Sequence, residues 1–124
     1  MPTYVVLYHE MPPNHDRTSH WDFMLERELS LATWALPNEP ADASVAIAAA
    51  TQLKDHRLDY LEYEGPISRN RGHVTQWDKG EFDWLLDADS RIQVRVCGER
   101  LRGQVTLTRL QNDDWEFVYS LASE

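Results

Sequence analysis

Ser19-His20-Trp21-Asp22-Phe23-Met24-Leu25-Glu26 is the stretch that decides the fold, because its polar and apolar residues largely alternate. Residues two apart lie on the same face of a β-strand. One face would hold His20, Asp22, Met24 and Glu26, and the other would hold Trp21, Phe23 and Leu25. The pattern predicts a strand that buries aromatic side chains in a core and presents a histidine and a carboxylate on its opposite face.

The spacing of His20 and Asp22 points to a site on that opposite face. Side chains two apart on a strand are about 6.5–7 Å apart, so both can reach one ion. They form half of a metal site or half of an acid/base pair. The segment Thr3–His9 is rich in β-branched and aromatic residues and predicts a second strand. If the two strands are antiparallel neighbours, His9 lies close to His20 and Asp22.

Two imidazoles and one carboxylate suit manganese, iron, zinc or cobalt, with coordination positions left open for water or substrate. His15, in the loop between the two strands, is an alternative to His9 as the first ligand. The alternative interpretation is that these histidines and the aspartate are solvated residues without a metal-binding role.

The rest of the chain predicts a mostly β fold. Strands are expected at Leu29–Leu36 and Leu58–Glu64, and residues 82–121 alternate apolar with mostly polar positions between short turns. Such one-sided strands favour a compact antiparallel β-barrel of about eight strands. The alanine-rich segment Ala41–Gln52 is the one short helix we expect.

Length, charge and cysteine content narrow the class of protein. The 124 residues are expected to form a single domain, 1–124, and lone Cys97 cannot form a disulfide within the chain. The N-terminus resembles no signal peptide and no apolar run is long enough to span a membrane, so we expect a cytoplasmic protein without membrane contact. The net charge of −9 leaves no basic excess for gripping nucleic acid, so any phosphate contact must be local, aided by a bound cation.

A second polar cluster surrounds Asp55-His56-Arg57-Leu58-Asp59-Tyr60. His56 is a candidate general acid or base, and Tyr60 is a candidate proton donor to a phosphate or leaving group. The alternative is an exposed turn before a strand. Arg69 and Arg71 are candidate substrate-binding residues because a guanidinium matches a pair of phosphate oxygens, although a solvated loop is the default for them.

Taken in order, these motifs resemble the 3′-phosphoesterase domain of bacterial DNA ligase D and its small stand-alone relatives. The resemblance rests on Tyr4-Val5-Val6-Leu7-Tyr8-His9, His20-Trp21-Asp22-Phe23-Met24-Leu25-Glu26, Thr33-Trp34-Ala35-Leu36-Pro37, Asp55-His56-Arg57-Leu58-Asp59-Tyr60, Tyr63-Glu64-Gly65-Pro66-Ile67 and Val74-Thr75-Gln76-Trp77-Asp78-Lys79-Gly80. It implies a β-barrel that removes a 3′-phosphate or a 3′-ribonucleoside from DNA ends.

The resemblance also implies roles for individual residues. His9, His20 and Asp22 would hold a divalent metal, most often Mn²⁺, with Zn²⁺ or Co²⁺ as alternatives. His56 and Tyr60 would take part in the phosphomonoesterase step. The expected partners are the 3′ end of DNA or RNA, or a smaller phosphorylated molecule, together with a ligase or end-joining protein.

Two departures from the family pattern favour an alternative function. Met24 and Ala48 stand where the family carries arginines that contact phosphate. Loss of both would weaken the stabilisation of transition-state charge. The alternative is a non-catalytic or altered-substrate metal-binding barrel that serves as a binding or scaffold module.

Overall fold

The computed structural model describes residues 2–41 and 47–121, and within these ranges the chain consists mostly of antiparallel strands. The strands are β1 (Thr3–Glu10), β2 (His20–Glu26), β3 (Leu31–Leu36), β4 (Ala48–His56), β5 (Gly65–Pro66), β6 (His73–Ala88), β7 (Arg91–Gly98), β8 (Arg102–Gln111) and β9 (Asp114–Leu121). They follow the order β1-β2-β3-β4-β9-β8-β7-β6, and β1 also pairs with β6. Eight strands therefore close into a ring, and the two-residue β5 pairs with β6 beside it. The expectation of an eight-stranded antiparallel barrel is confirmed.

The barrel interior is filled by the apolar face of each strand. Phe23 of β2 meets Phe117 of β9 edge to face at 5.4 Å between ring centroids, and Trp34 meets Trp115 in the same way at 5.5 Å. Such edge-to-face aromatic pairs add to the hydrophobic stabilisation of a core. The predicted apolar face of β2 lies here, with Trp21 packed at the edge of the interior cluster.

A second, smaller apolar cluster lies on the outer face of β1 and β2. Its buried members are Val5, Leu7, Met24, Leu31 and Val74. Leu58, Tyr60, Leu61 and Ile67 pack against it, so the segment between β4 and β6 covers this part of the outer face. The central strands are therefore buried on both sides, and the covering segment brings Tyr60 toward the polar end of β2.

The predicted helix at Ala41–Gln52 is wrong over the part that the structure describes. Residues 42–46 lie outside the described residues, whereas 48–52 form the first half of β4. This half pairs with β3 and β9, and Ala50 lies opposite Trp115 with only 3% of its surface exposed. Small residues at these positions leave room for the large interior rings, so tertiary packing overrides alanine's preference for helix.

The predicted strand at Leu58–Glu64 is also wrong. Leu58–Leu61 forms a single 3₁₀ turn, the one helical element among the described residues. In a 3₁₀ turn, residues three apart share a side, so Leu58 and Leu61 can both pack on the outer apolar cluster. In the described ranges no helix has the length and hydropathy needed to cross a bilayer.

A buried carboxylate ties β6 to the turn between β7 and β8. Asp78, 3% exposed, accepts backbone N–H bonds from Glu99, Arg100 and Leu101 at 2.9–3.0 Å, and a further bond from the Tyr4 hydroxyl. Burial, followed by the bond to this carboxylate, raises the pKa of Tyr4 far above its usual range. The phenol therefore stays neutral and donates its hydrogen bond to Asp78.

Gly98 is required beside this carboxylate. A Cβ at position 98 would lie 2.0 Å from the Tyr4 hydroxyl and 2.5 Å from an oxygen of Asp78. Any larger residue would displace the two groups that hold the turn.

We expect Asp78→Ala to lower the free energy of unfolding by about 3 kcal/mol, because it leaves the buried Leu101 N–H, two part-buried N–H groups and the Tyr4 phenol without their acceptor. Urea denaturation measures the change. Asp83→Ala is the matched control, since Asp83 is exposed on the same strand and should change stability by no more than about 0.5 kcal/mol. Equal stability of the two variants would show that the Asp78 network contributes little.

Candidate metal centre

The pairing of β1 with β2 brings the candidate ligands together. His9 lies directly opposite His20, and Leu7 lies opposite Asp22. One ligand atom from each of His9, His20 and Asp22 can be chosen so that all lie within 4.8 Å of one another. His20 and Asp22 are 5% and 2% exposed, and His9 is partly exposed at the mouth of the site. The structure therefore places the three residues in the arrangement that antiparallel neighbours would give.

Each imidazole of this cluster is oriented by a backbone carbonyl. Nδ1 of His20 lies 2.9 Å from the Thr18 carbonyl oxygen, and Nε2 of His9 lies 2.7 Å from that of Arg71. A carbonyl only accepts, so these two ring nitrogens carry the hydrogens. In the neutral rings, the remaining nitrogens present lone pairs. They lie 3.1 Å and 3.5 Å from the two oxygens of Asp22.

This arrangement leaves electron-rich atoms facing one another. Nε2 of His20 and Oδ1 of Asp22 are buried, and neither has a properly aligned hydrogen-bond partner among the described residues. A buried polar atom without a partner destabilises the fold, so a proton or a cation is expected between them. Two imidazole nitrogens and a carboxylate, with the second ring nitrogens held by carbonyls, is a donor set that fits a divalent metal.

The pKa shifts have the same origin. Burial lowers the pKa of His20, but the adjacent Asp22 carboxylate, 3.1 Å away, outweighs it, and the net shift is upward. Burial raises the pKa of Asp22, but His20 and His9 outweigh it, and the net shift is downward. Without a metal, both shifts favour a proton on His20 beside the charged Asp22 carboxylate.

His15 does not belong to the cluster of three, although it lines the same cavity. Its Nδ1 instead accepts the backbone N–H of Arg17 at 3.0 Å. The geometry therefore favours His9 over His15 as the partner of His20 and Asp22.

Gly72 lets the covering loop approach β1 closely enough to orient His9. Its φ is +79°, and a Cβ there would lie 1.9 Å from the carbonyl oxygen of Glu10. Only glycine fits at this point without moving the backbone. The preceding residue is Arg71, whose carbonyl accepts the hydrogen bond from His9.

A cavity of about 370 Å³ opens above the cluster and also contains His56 and Tyr60. Nδ1 of His56 donates to the Lys54 carbonyl at 2.8 Å, so Nε2 is free to take up or release a proton. The rings of His56 and Tyr60 meet edge to face at 5.5 Å. The structure therefore brings the second predicted cluster to the same cavity as the first.

The basic side chains that line this cavity differ from the two arginines predicted from the sequence. Arg71 lines it, but Arg69 does not, and Arg69 stands in the adjacent turn with a φ of 62°. Arg17 and Lys54 line the cavity and were missed by the sequence reasoning. Lys54 is two residues from His56 on β4, so the period-two rule would have paired them had this segment been assigned as a strand.

The two positions that lack the expected arginines differ in environment. Met24 lines the cavity and is 1% exposed within the outer apolar cluster. Ala48 packs against the interior core instead. An arginine at position 48 would therefore not face the cavity in this barrel.

Comparison with known proteins matches most of the chain to one protein family. Residues 13–109 match the family model described as the DNA ligase D 3′-phosphoesterase domain. This segment includes His20, Asp22, His56 and Tyr60 but begins after His9, whose place rests on the geometry above.

Individual relatives are about one-third identical to this chain over the aligned residues. It is 32% identical over 120 residues to the multifunctional non-homologous end joining protein LigD of Mycobacterium bovis, and 34% identical over 104 residues to that of Pseudomonas aeruginosa. These matches cover 91% and 77% of the chain but only 15% and 12% of the relatives, so the chain spans a small part of their length. The chain belongs to the DNA ligase D 3′-phosphoesterase domain family.

Proposed function

We propose that this protein is a divalent-metal-dependent phosphoesterase that removes a 3′-phosphate or a 3′-ribonucleotide from nucleic acid ends during DNA end repair. The carrying observation is the convergence of two imidazole lone pairs on the buried Asp22 carboxylate, in a cavity that also holds His56 and Tyr60. The family description and the end-joining names of the relatives support this chemistry and context.

His9, His20 and Asp22 would hold the metal. Manganese is the first candidate, and zinc or cobalt suits the same donors. The bound ion would polarise a phosphoryl oxygen and offset its charge. The protein contributes orientation: the carbonyls of Thr18 and Arg71 keep both rings turned toward Asp22.

His56 and Tyr60 would handle protons at the other wall of the cavity. His56 keeps Nδ1 on the Lys54 carbonyl, which leaves Nε2 to exchange a proton with substrate or water. The Tyr60 hydroxyl can donate to a phosphate oxygen or a leaving group. Arg17, Lys54 and Arg71 supply the local positive charge that the acidic chain otherwise lacks.

Met24 favours a second candidate, a metal-binding barrel without catalysis that acts as a binding or scaffold module, in partnership with a ligase or end-joining protein. An apolar side chain lines the cavity at the position of a family arginine. Because Met24 is 1% exposed, an arginine introduced there would bury a charge, so its effect on activity would be mixed with a loss of stability. Tests on exposed or half-buried residues separate the two candidates better.

We expect Mn²⁺ to raise the melting temperature of the wild-type protein, because an ion that binds only the folded state at 100 times its Kd adds about 2.7 kcal/mol. Asp22→Asn and His20→Gln should abolish most of this increase, and His9→Gln should reduce it. Thermal denaturation after treatment with chelator, with and without added Mn²⁺, measures the effect.

His73→Gln is the matched control, since the His73 side chain is 49% exposed and its one ion pair within the described part of the chain is with Glu10. It should respond to Mn²⁺ as the wild type does. His15→Gln should also retain the response. A loss in His15→Gln with no loss in His9→Gln would reverse the assignment of the first ligand.

The pH dependence should have opposite signs with and without metal. In chelator, the raised pKa of His20 gives stability that is complete below about pH 6.5 and is lost as pH rises through the raised value. The lowered pKa of Asp22 gives stability that is present above about pH 4 and is lost as pH falls through the lowered value. Metal binding requires neutral imidazoles, so stabilisation by Mn²⁺ should grow as pH rises.

Urea denaturation between pH 6 and 8 measures both trends. The stability advantage of wild type over His20→Gln in chelator should shrink across this interval, while the increase caused by Mn²⁺ should widen. A metal effect that is larger at pH 6 than at pH 8 would contradict coordination by His9 and His20.

We expect the wild type with Mn²⁺ to release inorganic phosphate from a 3′-phosphorylated oligonucleotide, and His56→Ala to lower kcat by about 10²–10⁴ through loss of proton transfer. Tyr60→Phe should lower it in the same direction. His73→Gln again serves as the control. Stoichiometric Mn²⁺ binding without release of phosphate or of a 3′-terminal ribonucleotide would overturn the catalytic proposal and support the scaffold module.

A further inference from the structure

A second cavity adjoins the metal cavity on the far side of Tyr60. Its volume is about 350 Å³, and it shares Tyr60, Ile67 and Arg71 with the first. Arg57, Tyr63 and Pro66 are among the residues that complete it. We call it the flanking cavity. The proposed phosphoesterase chemistry does not use its outer part.

The walls of the flanking cavity are held by contacts within the chain. The hydroxyl of Tyr63 donates to the carbonyl of Pro66, and its ring meets Tyr60 edge to face at 5.8 Å. The guanidinium of Arg71 bonds the carbonyl and the hydroxyl of Ser68 at 2.9 and 3.2 Å. A ligand would therefore meet a largely preformed surface.

The chemistry of these walls suits one nucleotide. Tyr63 is 37% exposed, and a flat aromatic surface stacks any base. Arg57 is exposed and forms no ion pair within the described residues, and Arg71 lies between the two cavities. Asp59 is the one acidic group of the lining. In a chain of charge −9, these arginines extend the positive charge of Arg17 and Lys54 away from the metal cluster in one direction.

We propose that the flanking cavity binds the nucleotide next to the reacting 3′ end, with its base on Tyr63 and its phosphate contacted by Arg57 and Arg71. The inference rests on the proposed function and deepens it. A base reaches the Tyr63 ring only when it is unpaired, so the preferred substrate is a single-stranded 3′ tail and not a mononucleotide or a blunt duplex.

Binding tests this site without relying on catalysis. The probe is a 5′-fluorescein hexathymidylate with a 3′-phosphate, titrated by fluorescence anisotropy in chelator. Tyr63→Ala should weaken binding by about fivefold or more, as expected for the loss of one base stack. Tyr63→Phe keeps the ring but loses the bond to Pro66, so its affinity should lie closer to that of the wild type than to that of Tyr63→Ala. Arg57→Ala should reduce the slope of log K against log salt by about 0.7, the value for one phosphate contact on a single strand.

Arg95→Ala is the matched control for charge, since Arg95 is exposed on β7 and lines neither cavity. Its salt slope should equal that of the wild type. A blunt duplex with the same 3′-phosphorylated terminal sequence should bind at least fivefold more weakly than the single strand. Equal binding of strand and duplex, or Tyr63→Ala and Arg57→Ala variants that bind as wild type does, would overturn the flanking site.

Turnover separates this inference from the proposed function. The ratio of kcat/KM for the hexamer to that for thymidine 3′-monophosphate should exceed one and should fall in Tyr63→Ala. A wild type that turns over both substrates with a ratio unaffected by Tyr63→Ala would refute the flanking site alone. A wild type that turns over neither, yet binds the hexamer through Tyr63, would refute the phosphoesterase and retain the nucleotide site.

Discussion

The antiparallel pairing of β1 with β2 is the constraint on which the site depends. Its register sets His9 against His20 and Leu7 against Asp22, so a shift by one residue would turn the candidate ligands into the core. That register is fixed by burial on both faces, with Phe23 in the interior and Met24 in the outer cluster. The same apolar packing that stabilises the barrel therefore positions a buried carboxylate between two imidazoles.

The outer cluster explains how a small barrel acquires a cavity. The segment between β4 and β6 packs Leu58, Leu61 and Ile67 onto β1 and β2, and this packing brings Tyr60 and Arg71 to the cavity that contains the candidate ligands. The loop also contributes its backbone, since the Arg71 carbonyl orients His9. The position of this segment therefore affects the orientation of His9. Loss of the segment would remove the carbonyl that holds the His9 ring and would also open the cavity.

Local charge in this protein is opposed to its overall charge. A net charge of −9 repels polyanions at long range, yet Arg17, Lys54, Arg71 and Arg57 border two adjoining cavities. Screening confines exposed charges to a range of about 10 Å, so these side chains act on a bound strand and do little to steer a distant one. The proposed preference of the protein for an unpaired 3′ tail is consistent with such short-range recognition.

The alternation in residues 19–26 was sufficient to predict β2 and its aromatic buried face, because a period of two has one structural meaning when one side is aromatic. The approach of His9 also required the strand Thr3–His9 to be the antiparallel neighbour, which the structure shows. The family resemblance followed from ordered motifs and is confirmed by the comparisons. By contrast, alanines of β4 favoured a helix in isolation, and only pairing with β3 and β9 around large tryptophan rings made them a strand. That error also hid Lys54 beside His56.

The sequence by itself predicted the barrel class and the second polar cluster, and it limited the candidate ligands to His20 and Asp22 with either His9 or His15, since each depends on short-range spacing. Only the tertiary structure decided which arginine and lysine side chains line the cavity. It places Arg69 outside the cavity lining and packs Ala48 against the core. It also decided which ring nitrogens carry protons, because the carbonyls of Thr18 and Arg71 are brought to the imidazoles by the loops. These contacts depend on how loops fold over the sheet, and a loop's path is set by packing with distant residues rather than by a local repeat.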